Sequence, residues 1–316
     1  MKHLIVGYGY CGLHLTRGLI EHGDKVVSWS RSDKSSIQIP RECAHHTINI
    51  ATDNFNLSDC YDIIHYLIPP QKYGLEDCLL ERFISKLHKR PRHIIYYGSS
   101  GIYGDHQGRL INEESQLNIK TNRQFRRYHA EQQLLEYCHK YGIKLSILRI
   151  AGIYGPERIP LEKVKRYIPI IRPSEAPISN RIYIQNLVEI VIQIIKNQSG
   201  IEVYNVSDGD PAPIGKIQSS LCSLLNFSAP IEISYQEYFE NASRMQREFL
   251  ENSRQLDISK LKDLLFDNLV LTKLDEGLKL SCGFNATEPK IFYERPSNTR
   301  ILPIEEYLKA GGNADD

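Results

Sequence analysis

The chain has 316 residues, a formal net charge of +1 and 24% charged residues, with no cationic excess to mark a nucleic-acid or anionic-membrane partner. No apolar run approaches the roughly 18 residues of a membrane span. The sequence starts directly on an apolar strand pattern instead of a secretory leader, which predicts a cytoplasmic location. The seven cysteines, at 11, 43, 60, 78, 138, 222 and 282, are an odd number without a CxxC pair. They suit reduced thiols better than disulfides or a zinc site, and no metal centre is expected.

The first strand, His3-Leu4-Ile5-Val6, runs into Gly7-Tyr8-Gly9-Tyr10-Cys11-Gly12, and a helix from Leu13 to His22 stops at Gly23. A second strand, Lys25 to Trp29, closes at Ser30-Arg31-Ser32. Strand, glycine loop, helix and strand in this order read as a dinucleotide-binding βαβ unit. The glycines permit the tight turn and the approach of backbone to pyrophosphate, while the helix N-terminus offers unpaired N–H groups. Gly7, Gly9, Tyr10, Cys11 and Gly12 are therefore candidate coenzyme contacts. NAD-selective loops usually place a carboxylate after the second strand to hold the ribose 2′-hydroxyl, whereas an arginine there accommodates a 2′-phosphate. Here Arg31 stands between Ser30 and Ser32, with Lys34 close behind, which favours NADP.

Further strands are predicted at Thr47 to Ile50, Tyr61 to Ile68 (ending at Pro69-Pro70), His93 to Tyr97 and Lys144 to Ile150. Helices are predicted at about 74 to 89 and 123 to 141. Strands alternating with helices imply an α/β fold, a Rossmann-like doubly wound parallel sheet whose ligand lies at the C-terminal strand ends. Ile68 and Pro69 belong to that edge. Later elements are expected at Leu187 to Lys196, Val203 to Val206 and Ile214 to Leu225. Residues 1–155 would form the coenzyme domain, joined by a returning strand at about 200–206. Residues 156–199 and 207–283 would form a smaller C-terminal substrate-binding subdomain, and 284–316 an extension with a disordered polar end. Arg158, Lys163, Lys165, Arg166 and Arg172 make the segment after Pro156 basic, suited to a phosphorylated or carboxylated small molecule.

Ile95-Tyr96-Tyr97-Gly98-Ser99-Ser100-Gly101-Ile102-Tyr103-Gly104 resembles the strand and turn of the extended short-chain dehydrogenases/reductases, in which a Ser or Thr four residues before a Tyr-Gly pair binds the reacting oxygen. Leu148-Arg149 through Tyr154-Gly155-Pro156 and Asn180 to Leu187 are similar to two later segments of that family, and the resemblance covers about residues 1 to 210. It implies Ser99 at the reacting oxygen and Ile153 beside the coenzyme. Matching the family's Lys-Ala-Glu to His129-Ala130-Glu131 puts Phe125 at the position of the usual catalytic Tyr and His129 at that of the Lys. This suggests an atypical branch with a degenerate Tyr-x-x-x-Lys, in which His129 holds the nicotinamide ribose. Tyr128, Tyr103 and His106 are then the candidates for a replacement proton source.

The expected activity is NADP(H)-dependent reduction of a carbonyl or imine. A sugar-nucleotide epimerase/dehydratase or a catalytically silent NADP-binding module are the alternatives. Relatives of this type pair through helices corresponding to 74–89 and 123–141, which makes a homodimer an expectation from resemblance.

Overall fold

The computed structural model describes residues 1–33, 39–57, 59–197, 200–265 and 269–283. Lys34 and the C-terminal extension from 284 onward lie outside the described residues. The nucleotide half is built from β1 (Lys2–Val6), α1 (Tyr10–Glu21), β2 (Lys25–Ser30), β3 (Cys43–Thr47), β4 (Ile63–Tyr66), α2 (Cys78–Ser85), β5 (His93–Tyr97) and α3 (Asn122–Tyr141). Two later strands, Lys144–Ile150 and Ile201–Val206, complete a seven-stranded sheet. Its order is 201–206, 144–150, β5, β4, β1, β2, β3, and every pairing is parallel. The expected doubly wound α/β fold is therefore present. The connections reverse direction between β1 and β4, which opens a crevice at the C-terminal strand ends.

Parallel strands need crossovers, and the helices that supply them cover both faces. Leu15 and Leu19 of α1 share one apolar cluster with Ile5 and with Leu187, Ile190 and Val191 of the helix Ile184–Lys196. Phe83 of α2 and Ala130, Leu134 and Cys138 of α3 share the other with Leu4, Val6 and Ile147. Alternation along β1 thus sends neighbouring residues to opposite faces. The helix Ile184–Lys196 follows the strand Arg181–Tyr183, yet it packs on α1. A Cβ on Gly18 would lie 2.4 Å from Val188 Cγ1, so the two helices meet where α1 has no side chain.

Several predicted boundaries move for local reasons. The third strand is Cys43–Thr47 instead of Thr47 to Ile50. His45 accounts for the shift, because Ser28 Oγ and Ser30 Oγ reach its two ring nitrogens at 2.8 and 3.0 Å across the β2–β3 pairing. Ile50 is buried because it packs beneath the sheet, which made its apolar neighbourhood look like a strand. The helix predicted over 74–89 shortens to α2 because Asp77 caps it, accepting from Leu80 N at 3.1 Å.

The sheet centre is unusually polar. His3 Nδ1 lies 3.0 Å from His65 Nε2, and His65 Nδ1 lies 3.1 Å from the Tyr97 hydroxyl. His3 Nε2 approaches Asp24 at 3.4 Å, and His93 Nε2 meets Ser146 Oγ at 2.9 Å. A single tautomer pattern serves the chain of contacts: Tyr97 donates to His65, His65 donates to His3, and His3 turns its remaining N–H toward Asp24. Burial therefore holds these rings neutral, pushing His3 and His93 down to about 4 and His65 well below its ordinary value.

Candidate active site

The glycine loop is shaped by close approaches that leave one side open. Gly7 has φ +109°, and its N–H and that of Tyr8 both donate to Trp29 O, at 3.0 and 2.8 Å. A Cβ on Gly12 would sit 2.9 Å from Gly7 O, a backbone atom that cannot swing away. At Gly9 the same test meets nothing within 4 Å. Gly9 also opens α1 without a side-chain cap, so the first N–H groups of the helix lack intrahelical acceptors. The unpaired N–H groups of the first turn and the open space above Gly9 lie side by side, the geometry that helix N-termini offer to anions. Substituting Gly12→Ala is expected to lower stability by about 1–3 kcal/mol through overpacking. Gly9→Ala should leave the fold unchanged, and thermal unfolding of the two variants tests the contrast.

Around the loop, Ile68 touches Gly7, and Pro69 is exposed at the end of β4. Burial raises the Cys11 thiol above its ordinary value, although Arg158 opposes the shift, which suits a packing group more than a nucleophile. Arg158 lies over the Tyr10 ring, 5.3 Å from its centroid. At the end of β2, Ser30 Oγ is already committed, donating to Ser32 O at 2.7 Å. Arg31 and Ser32 are exposed, and Arg31 has no ion-pair partner among the described residues.

Next to this edge opens a cavity of about 530 Å³, lined by Ser99, Ile153, Arg123, Arg127, Arg158 and Arg254 among others. Ser99 begins a 3-10 turn at Ser100–Tyr103, and its Oγ accepts from Gly101 N at 3.1 Å. Helix α3 is tied to this turn at two levels. Gln124, whose side chain forms a capping box with Thr121, also donates from Nε2 to Gly101 O at 2.9 Å. Two turns further on, Glu131 grips Arg149 on the strand Lys144–Ile150. Nη2 meets Oε2 at 2.9 Å and Nε meets Oε1 at 3.3 Å, while Arg149 Nη1 donates to Glu113 O. These contacts fix the rotation of α3.

The fixed rotation corrects the expected register of the degenerate Tyr-x-x-x-Lys. Arg123 and Arg127, one turn apart, face the cavity with Ser99. Phe125 and Tyr128 are 44% and 38% exposed and do not line it. His129 does not line it either, because its Nδ1 accepts from Asp77 N at 3.1 Å at the start of α2. It is thus a cap contact, distant in role from the expected ribose ligand. Tyr103 is corrected too. It is fully buried, and its hydroxyl donates to Asn205 Oδ1 at 2.7 Å beneath the Arg149 guanidinium. His106 is buried edge-on to Tyr103 and outside the cavity lining. Ser99 and Ile153 are brought together as expected, whereas no expected proton donor joins them.

The far wall comes from residues that no motif marked. Glu248, Phe249 and Asn252 belong to or follow the helix Arg244–Leu250, and Arg254 precedes the short strand Gln255–Leu256. That strand pairs with Leu110–Ile111, which carries this distant segment to the Ser99 turn.

The NAD dependent epimerase/dehydratase family model matches residues 79–207, the stretch containing the Ser99 turn, α3 and the Arg149 strand. By fold the chain resembles the extended short-chain dehydrogenases/reductases. Protein YeeZ of Escherichia coli (strain K12) is 23% identical over 220 residues, covering 65% of this chain and 77% of that protein. A functionally unknown conserved protein from Silicibacter pomeroyi DSS superposes with a TM-score of 0.78 at 23% identity, covering 89% of this chain and 98% of its own. UDP-glucuronic acid 4-epimerase from Bacillus cereus, solved in complex with NAD, superposes with a TM-score of 0.73 at 18% identity, covering 90% and 98%. On this shared fold, the crevice face of α3 carries the arginine pair Arg123 and Arg127.

Proposed function

We propose that the chain is an NADP(H)-dependent oxidoreductase acting on a carbonyl or imine carbon seated at Ser99. The observation that carries this reading is the open glycine loop and uncapped α1 N-terminus at the crevice edge, with the Ser99 cavity beside it. Gly7, Gly9 and Gly12 would hold the pyrophosphate, and Arg31 would pair with a 2′-phosphate. The bound dinucleotide supplies or accepts the hydride. Ser99 already accepts from Gly101 N, so its own hydrogen remains to be given to the substrate oxygen. Arg127 adds positive charge on the same side. A guanidinium keeps its proton at all ordinary pH values, so the proton that completes reduction comes from water or from the substrate itself.

The family match favours a second reading, an epimerase or dehydratase that retains its coenzyme. Those reactions depend on a positioned base, and arginines at 123 and 127 offer none, so simple reduction is the better reading. All seven cysteines are unpaired, which supports a cytoplasmic location, and no helix among the described residues is long and apolar enough to cross a membrane. Exposed Phe125 and Tyr128 on α3, with Tyr73 and Leu75 before α2, support pairing of two copies through this face.

Titration by nicotinamide fluorescence tests the coenzyme. Wild type is expected to bind NADPH more tightly than NADH, and Arg31→Glu to lose about ten- to a hundredfold in NADPH affinity with little change for NADH. Loss of nicotinamide absorbance with a carbonyl and imine panel tests turnover. No binding of either coenzyme sinks the reading, and binding without turnover converts it to a silent binding module.

A further inference from the structure

The cavity beside Ser99 is lined by four arginines, Arg123, Arg127, Arg158 and Arg254, against a single acidic residue, Glu248. Among the described residues, none of the four has a carboxylate within ion-pairing distance. Arg149 shows how this chain holds a guanidinium that serves the fold, with Glu131, a backbone carbonyl and the Tyr103 ring all engaged. The cavity arginines are held by weaker means. Arg123 lies 5.2 Å from the Phe249 ring centroid, and Arg158 covers Tyr10. Arg254 donates from Nη1 to Gly104 O at 3.0 Å, but its Nε is buried without a partner, as is Arg127 Nε. Burial pushes the Arg254 guanidinium down to about 10.

Arg127 and Arg254 are partly buried while Arg123 and Arg158 are exposed. Cations gathered around one cavity repel each other, and the partly buried pair also loses hydration, so the arrangement costs stability until an anion enters. The neutral amide of the wall at Asn180 is engaged elsewhere. Asn180 spends Nδ2 on Arg254 O and Oδ1 on Leu256 N. Arg123 and Arg127 share a turn of α3 with Gln124, which is bonded to the Ser99 turn, so this part of the helix is fixed beside the cavity that Ser99 also lines. The pyrophosphate of a dinucleotide has its own place at the uncapped end of α1.

We propose that the substrate is an oxyanion. It carries a carboxylate or phosphate group close to the carbon that reacts, and Arg123, Arg127 and Arg254 grip that group while Ser99 holds the neighbouring oxygen. Arg158, shared with Tyr10, closes the cavity on the coenzyme side. The inference rests on the oxidoreductase reading for the reacting carbon and stands apart from it for the anion.

Thermal unfolding of the full chain tests it with inorganic phosphate, with pyruvate as a small 2-oxo acid, with acetone as a neutral carbonyl, and with sodium chloride at matched ionic strength. Phosphate or pyruvate is expected to raise the midpoint above the chloride control, and acetone to leave it unchanged. A response to phosphate alone identifies a phosphate ester, and a response to pyruvate alone identifies a carboxylate. Arg123→Gln is expected to weaken that response tenfold or more while leaving the ligand-free midpoint equal to or above wild type, because a clustered charge has been removed. Arg123→Lys should restore part of it, and Arg254→Gln should weaken it independently. Neither anion acting above chloride, or both glutamine variants responding as wild type does, overturns the proposal. Coenzyme titration of the same samples separates the two readings. Anion binding without coenzyme binding sinks the oxidoreductase and keeps the anion site, and the converse result does the opposite.

Discussion

Glu131→Ala is expected to cost about 3–5 kcal/mol of folding stability, measured as the shift in a urea unfolding transition, because it leaves Arg149 buried without its counter-charge. The loss comes from the stranded guanidinium more than from the missing contact. Glu131→Gln should therefore cost less, since one oxygen remains to accept. The double variant Glu131→Leu with Arg149→Met should recover most of the stability, because both charges leave together. A double variant no more stable than Glu131→Ala would show that the pair itself, and not the orphaned charge, carries the effect. The same substitutions bear on the crevice, since this pair sets which face of α3 meets Ser99.

Stability is also expected to fall steeply on mild acidification. His3 and His93 titrate near 4 in the fold and near 6.5 when unfolded, and burial holds His65 down as well. Between those values the unfolded chain binds more protons than the native one, so stability decreases as pH drops through 6.5 and the loss levels off near the folded values. The cost is roughly 2 kcal/mol for each of His3 and His93 between pH 7 and 5, and His65 adds to it in the same direction. Asp208 works in the opposite sense, because burial raises its carboxyl to about 6 and the native state takes up a proton first. Its return over the same interval is about 1 kcal/mol, and buried Asp77 and Glu131 act in the same direction. The histidines outweigh it. Urea midpoints that stay flat from pH 7 to 5 would refute this account. Replacing His93 and Ser146 together by Leu and Ala should make the slope shallower by roughly the 2 kcal/mol assigned to His93.

The parts of the molecule that could be read in advance are those governed by local physics. The apolar run of β1, the turn at Gly7 and the helix that follows are neighbours in the chain, so periodicity and glycine placement suffice to find them. The turn that Ser99 caps was legible for the same reason. Rotation of α3 was not, because it is decided by a contact between residues 131 and 149 that belong to different elements. A shift of two residues turns a helix by about 200°, enough to exchange its faces. Matching His129-Ala130-Glu131 to a family motif therefore put Phe125 and His129 where Arg123 and Arg127 stand. The spacing of 123, 127 and 131 in steps of four was the available signal, with Glu131 in an apolar stripe marking the inward side. Arg254 and Glu248 had no comparable mark, since only the pairing of Gln255–Leu256 with Leu110–Ile111 brings them near.

The position of the strand Ile201–Val206 at the sheet's edge has a consequence for synthesis on the ribosome. Until it emerges, the strand Lys144–Ile150 has an unpaired border, and until Ile184–Lys196 emerges, α1 has no cover over Gly18. A nascent polypeptide that has exposed only its first 155 residues therefore presents an incomplete, adhesive sheet. Cutting the gene at that apparent boundary would yield an aggregating fragment, whereas one extended through residue 206 would carry every strand of the sheet.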